Sequence, residues 1–157
     1  MRGEQDFAPG SAVLLSRLAK QVYRRSSDEL LGMQLRHLIA LSYVLDHDAC
    51  PQQELADAFC MDANNVVLLL NELEQLGYVT RVRDPHDRRR HVVELTPPGH
   101  EALDRAERAQ GAIEDDVLAA LDPQERRTLR ELLLRALRGV EPADGEPYNA
   151  TVASIST

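Results

Sequence analysis

The chain has 157 residues, 43% of them hydrophobic and 28% charged, with a formal net charge of −8 at pH 7. That length suits one domain with a real core, and no apolar run approaches the roughly 18 residues that a membrane span needs. Two cysteines, Cys50 and Cys60, are too few for a disulfide framework, and the opening MRGEQDFAPG lacks the apolar centre of a secretory signal, so a cytoplasmic protein with reduced thiols is expected.

From Ser11 to Leu31, the spacing of Val13, Leu14, Leu18 and Val22 predicts one amphipathic helix with Ser11 as its N-cap. After a break at Gly32, MQLRHLIALSYVLDHD predicts a second helix to about Asp46, with Leu35, Leu38, Ile39, Ser42 and Leu45 on its apolar stripe. Pro51 closes that unit and opens the next, because proline fits a first helical turn and disrupts an interior.

Two short helices follow, QQELADAF and ANNVVLLLNELEQLGY, separated by the turn CMD with Asp62 as an N-cap. Leu55, Ala56 and Phe59 face inward from the first, and Val66, Leu69, Leu70, Leu73 and Leu76 from the second. The small Ala56 allows close approach across a short turn, which is the helix-turn-helix pattern, and Gly77 ends the second helix.

Valine-rich YVTRVRD and RHVVELT read as two strands joined by the tip PHDRR. Residues 81–90 carry five arginines against two aspartates, a local charge of +3 that leaves −11 for the rest of the chain. A basic patch on an acidic body attracts a polyanion at one place and repels it elsewhere, whereas the plainer alternative is a solvated hairpin.

A long helix from roughly His100 to Ala120 bears Leu103, Ala106, Ala109, Ile113, Val117 and Leu121 at spacings of three and four. The last begins with Asp122 as N-cap, Pro123 in the first turn and Glu125 at the third position, and its apolar face is Leu129, Leu132, Leu133, Leu137 and Val140. The fold expected is mainly α with a small β-hairpin wing. Residues 1–10 are expected to be a flexible N-terminus and residues 141–157, small, polar and proline-bearing, a disordered tail.

Over about Ser11 to Val140 the chain resembles the MarR family of bacterial transcription regulators, in which a central winged helix lies between dimerising terminal helices. The resemblance is most specific in GYVTRVRDPHDRRRHVVELTPPG, similar to that family's wing, and extends to the closing LDPQERRTLRELLLRAL. It implies a homodimer that binds double-stranded DNA, with residues 11–46 and 100–140 forming the dimerisation region and residues 47–99 the DNA-binding region.

For the second helix of the pair, this implies a major-groove role for Asn64, Asn65, Val67, Leu68 and Asn71. Asparagine can hold adenine through two hydrogen bonds, although Asn64 and Asn65 also suit helix initiation. Where the family pattern has hydroxyl or basic residues, this chain has Val67 and Leu68, which either touch thymine methyls or contact a neighbouring loop. In the wing, Arg88 and Arg89 are expected in a minor groove with Asp87 orienting them, and Arg90 on phosphate. Arg81 and Asp84 are expected to form an ion pair at its base.

Leu14, Leu18, Leu129, Leu133 and Leu137 are candidates for the dimer contact, with intrachain packing as the alternative for some of them. The family resemblance also implies a small aromatic or phenolic effector, and Tyr23, Arg36, His37 and Tyr43 fall in helices that could line its cleft. No enzyme motif, cofactor motif or dense metal-ligand cluster occurs. Three other functions remain open: a metal sensor using His37, His100 and Asp104, a redox switch at Cys50 or Cys60, and a winged helix that docks on protein.

Overall fold

Side chains at the helix starts account for much of the chain's segmentation. In the computed structural model, which describes residues 9–140, Ser27, Asp62, Thr96 and Asp122 each accept a hydrogen bond from a backbone N–H in the helix that follows. The helices are α1 (Ser11–Arg25), α2 (Asp28–Leu31), α3 (Leu35–Asp46), α4 (Gln52–Ala58), α5 (Ala63–Gln75), α6 (Pro97–Val117) and α7 (Pro123–Arg138). Three strands, β1 (Cys50–Pro51), β2 (Val79–Arg83) and β3 (His91–Leu95), form an antiparallel sheet in the order β1-β3-β2.

The core lies where α3, α4 and α5 meet β3 and the first half of α6. Leu41, Leu55, Leu70, Leu73 and Leu103 are fully buried there, and Cys50 and Val93, opposite each other in the β1–β3 register, join them. Val79 pairs with Leu95 and Val82 with Val92, which brings the sheet's base under α5 and lets its β2–β3 tip project. Among the described residues, no helix is long and apolar enough to cross a membrane.

Several expectations are corrected. The helix expected over Ser11–Leu31 is two helices, because Ser26 Oγ donates to the Val22 carbonyl (2.9 Å) while Ser27 Oγ accepts from the Leu30 amide (3.2 Å). Adjacent serine hydroxyls here close one helix and cap the next. Gly10, not Ser11, occupies the N-cap position of α1, with no side-chain cap.

The apolar stripe of α3 is rotated from the expected one: Leu38, Leu41 and Val44 face the core, whereas Ile39 and Leu45 are exposed. This helix is apolar on most sides, so its phase is selected by packing against α6 and β3 rather than by spacing. Leu76 is also exposed, at the point where Gly77, with φ +74°, turns the chain out of α5.

Helix α6 begins at Pro97, ahead of the expected His100, because Thr96 caps it and prolines suit its first turn. β1 turns the expected hairpin into a three-stranded sheet. Its two residues are too few for a sequence pattern, and Pro51 is tolerated there on an edge strand.

The capping box of α7 forms as expected: Asp122 Oδ1 accepts from the Glu125 amide (2.8 Å), and Glu125 Oε2 accepts from the Asp122 amide (2.9 Å). Yet neither α7 nor α1 buries a single residue within the chain. Between them and α6 runs an apolar groove of about 330 Å³, lined in part by Leu18, Val22, Val117, Leu129 and Leu133. The expectations for residues 1–8 and 141–157 lie outside the described residues.

Candidate nucleic-acid interface

Helix α5 sorts its residues by face. Val66, Leu69, Leu70 and Leu73 point into the core, which leaves Asn64, Leu68 and Asn71, at i, i+4 and i+7, on the opposite side. Asn64 and Asn65 are exposed, Leu68 is 59% exposed, and Val67 and Asn71 are half-buried.

Two of these asparagines are held from within the chain. Asn65 donates through its backbone N–H (2.8 Å) and through Nδ2 (3.0 Å) to the two oxygens of the Asp62 cap. Asn71 Oδ1 accepts from the Arg81 guanidinium, which can only donate, so this contact fixes the orientation of the amide.

Arg81 also pairs with Glu74, whose Oε1 accepts from the Arg81 backbone N–H (3.1 Å). The Arg81 hydrogen bond, opposed by partial burial and aided by the guanidinium charge, holds the Glu74 carboxyl below its ordinary range. The base of the wing is thus tied to α5 through Glu74 and Asn71, and the expected Arg81–Asp84 pair is replaced.

Asp84 instead shapes the turn, its Oδ1 accepting from the His86 amide (2.8 Å). Asp87 acts in the same way on the Arg89 amide (3.0 Å), and its carbonyl accepts from the Arg90 amide (2.9 Å). Aspartate readily closes such local turns. Asp87 therefore steadies the tip through backbone rather than through a guanidinium, which corrects the expected contact.

Arg88, Arg89 and Arg90 are exposed, and their guanidinium groups have no hydrogen-bond or ion-pair partner among the described residues. Arg89 and Arg90 line a concavity of about 260 Å³ together with Gln52, Gln53, Ala63 and Val66. The wing and the first turns of α4 and α5 thus share one surface. Gln52 and Gln53 were not singled out from sequence, since two glutamines at a helix start carry no pattern of their own.

A second cluster joins α5 to α3. Glu72 Oε2 accepts from Arg36 (2.8 Å) and contacts His37 Nε2 (2.9 Å), a ring only 5% exposed. The His37 hydrogen bond, against some desolvation and with help from the Arg36 charge, holds the Glu72 carboxyl low.

The other residues expected at an effector cleft lie elsewhere. Tyr43 stacks on His47 at 4.0 Å and meets Phe59 edge-on, while Tyr23 is exposed on α1. Among the described residues, no group of three or more His, Cys, Asp or Glu is arranged to hold a metal ion. Cys60 is exposed at the α4–α5 turn, and Cys50 is buried, its thiol pushed up to about 12 by burial and then by the Glu54 charge.

The profile of the MarR family matches residues 31–90, which include α5 and the arginine-bearing tip. A putative transcriptional regulatory protein for the hcr operon of Thauera aromatica is 38% identical over 98 residues, 62% of this chain and 59% of that protein. The chain thus spans about six tenths of the length of that relative.

Among solved structures, MarR is 25% identical, with a TM-score of 0.73 over 85% of this chain and 92% of that one. CouR from Rhodococcus jostii RHA1, bound to p-coumaroyl-CoA, is likewise 25% identical, with a TM-score of 0.67 over 80% and 90% of the two chains. The profile thus falls on the helix-turn-helix and wing, residues 31–90, and the likeness in fold to MarR extends through the flanking helices.

Proposed function

We propose that this chain is a cytoplasmic, sequence-specific regulator of transcription, not an enzyme, that binds double-stranded DNA as a homodimer. The observation that carries this is the Arg88–Arg90 tip, unpartnered among the described residues, beside the first turns of α4 and α5, on a chain whose net charge is −8. In this role α5 enters a major groove through Asn64, Asn65, Val67, Leu68 and Asn71, and the wing sets Arg88 and Arg89 in the adjoining minor groove, with Asp87 holding the turn and Arg90 on phosphate.

Dimerisation is supported by α1 and α7, on which no residue is fully buried and Leu14, Leu132 and Leu137 lie exposed. A two-fold dimer presents two α5 helices to a pseudopalindrome. Release by a small aromatic or phenolic effector is supported by CouR, which holds p-coumaroyl-CoA on a similar fold.

The test is to titrate the full chain with a duplex selected from a random pool and with a scrambled duplex, at several salt concentrations. Preference for the selected duplex is expected, with log affinity falling linearly as log salt rises. Equal affinity for both duplexes, or indifference to salt, overturns the proposal.

A further inference from the structure

We propose that Leu68 reads the 5-methyl group of a thymine in each half-site of the operator. This rests on the DNA-binding role proposed above and specifies what α5 selects. On the face opposite the core, Leu68 lies between Asn64 and Asn71, one turn from each, and is the exposed apolar residue of that stripe.

Its neighbours are constrained in ways that Leu68 is not. Arg81 occupies Oδ1 of Asn71, and the Asp62 carboxylate takes both a side-chain and a backbone N–H of Asn65. The adjoining Val67 is half-buried. Leu68 therefore stands out from the middle of the face with an apolar group at its end.

A major groove presents hydrogen-bonding edges almost throughout, and an aliphatic side chain facing them strips those polar groups of water without offering them a partner. The thymine methyl is the exception, an apolar group projecting into that groove. Contact there removes both methyl surfaces from water, and a methyl-sized burial of this kind changes an equilibrium about fourfold.

The same helix geometry places the contact. Asn64, nearer the helix start, meets a base edge on one side, and Asn71, its amide turned by Arg81, lies on the other, so the thymine falls within the bases covered by α5 rather than beneath the wing.

The experiment uses the full chain and a duplex enriched from a random pool, in which each thymine is replaced in turn by deoxyuridine, which lacks only the methyl. At one symmetry-related position per half-site, the replacement should weaken binding about fourfold, and in both half-sites together about sixteenfold. Leu68→Ala should bind the thymine and uracil forms of that position equally, while keeping its response to base changes elsewhere and its helical circular dichroism.

Indifference of the unaltered chain to uracil at every position overturns the role of Leu68 while leaving DNA binding intact. So does a uracil response that Leu68→Ala preserves, because the methyl is then read by another residue. Failure of the pool to yield any enriched duplex overturns the DNA-binding role itself, and this inference with it.

Discussion

Arg89 and Arg81 show how two arginines in one short stretch come to do different work. Arg81 is spent internally, on Asn71 and Glu74, whereas the Arg89 guanidinium faces solvent with no partner among the described residues. Arg89→Ala should therefore weaken binding to a selected operator by about 1 to 3 kcal/mol while leaving thermal unfolding unchanged, as read by titration at fixed salt. Glu74 carries a different consequence. Its folded-state pKa lies below the ordinary 4.5, so its contribution to stability is fully present above pH 4.5 and is lost as pH falls through the lower folded value. Thermal melts of Glu74→Gln should be less stable than the parent near neutrality, and the difference should shrink on acidification. A difference that stayed constant with pH would detach the carboxylate from the wing's attachment. The arginine run was legible in the sequence because charge asymmetry survives any fold, but the Arg81–Glu74 pairing was not. It joins a strand to a helix across the Gly77 turn, and the nearer Asp84 offered an equally plausible partner on spacing alone.

Among the elements, the ones whose ends are written in side-chain chemistry were the ones best read in advance. Asp62 before α5 and Asp122 with Glu125 at α7 announce their helices locally, and the structure forms those caps. The phase of α3 carries no such mark, since its apolar residues surround it and only its neighbours decide which go inward. The start of α6 lay between these cases: Thr96 and the paired prolines are a readable signal, masked by the strand that runs directly into them. The junction is tight because Thr96 N–H donates to the Tyr78 carbonyl (3.0 Å), drawing the first turn of α6 against the chain leaving α5. A Cβ on Gly99 would strike that same carbonyl oxygen. Gly99→Ala should then force α6 away from the base of the wing, lowering stability by about 1 to 3 kcal/mol in denaturant titrations. The matching change at Gly111, where the structure leaves open space around an added Cβ, should be harmless or slightly stabilising. Equal behaviour of the two variants would refute the close packing at Gly99.

On the scale of the whole molecule, the helices divide into a packed centre, α2 to α6 with the sheet, and two outer helices, α1 and α7, many of whose apolar residues the single chain leaves exposed. Deleting residues from Pro123 onward should consequently abolish dimerisation and operator binding together, a result readable by sedimentation and titration, and a truncated monomer with full affinity for the operator would refute that division. The same division implies how regulation could work. In the homodimer proposed above, two α5 helices held by the outer helices fit successive major grooves only when their separation is near one helical repeat, roughly 34 to 36 Å. Each α5 is joined to α3 by Arg36 and His37 through Glu72, and α3 packs on α6, so a ligand wedged among these helices acts on the separation through rigid elements. A ligand that prefers a different spacing must lower DNA affinity, and DNA must lower its affinity by the same factor. The expected coupling is about 1 to 3 kcal/mol, or roughly 5- to 150-fold in affinity. Titrating aromatic acids and their thioesters against the dimer, with and without operator, measures both arms of the cycle. A compound that binds equally well in both titrations is not an effector by this route, however tightly it binds, because it has no preference between the two spacings.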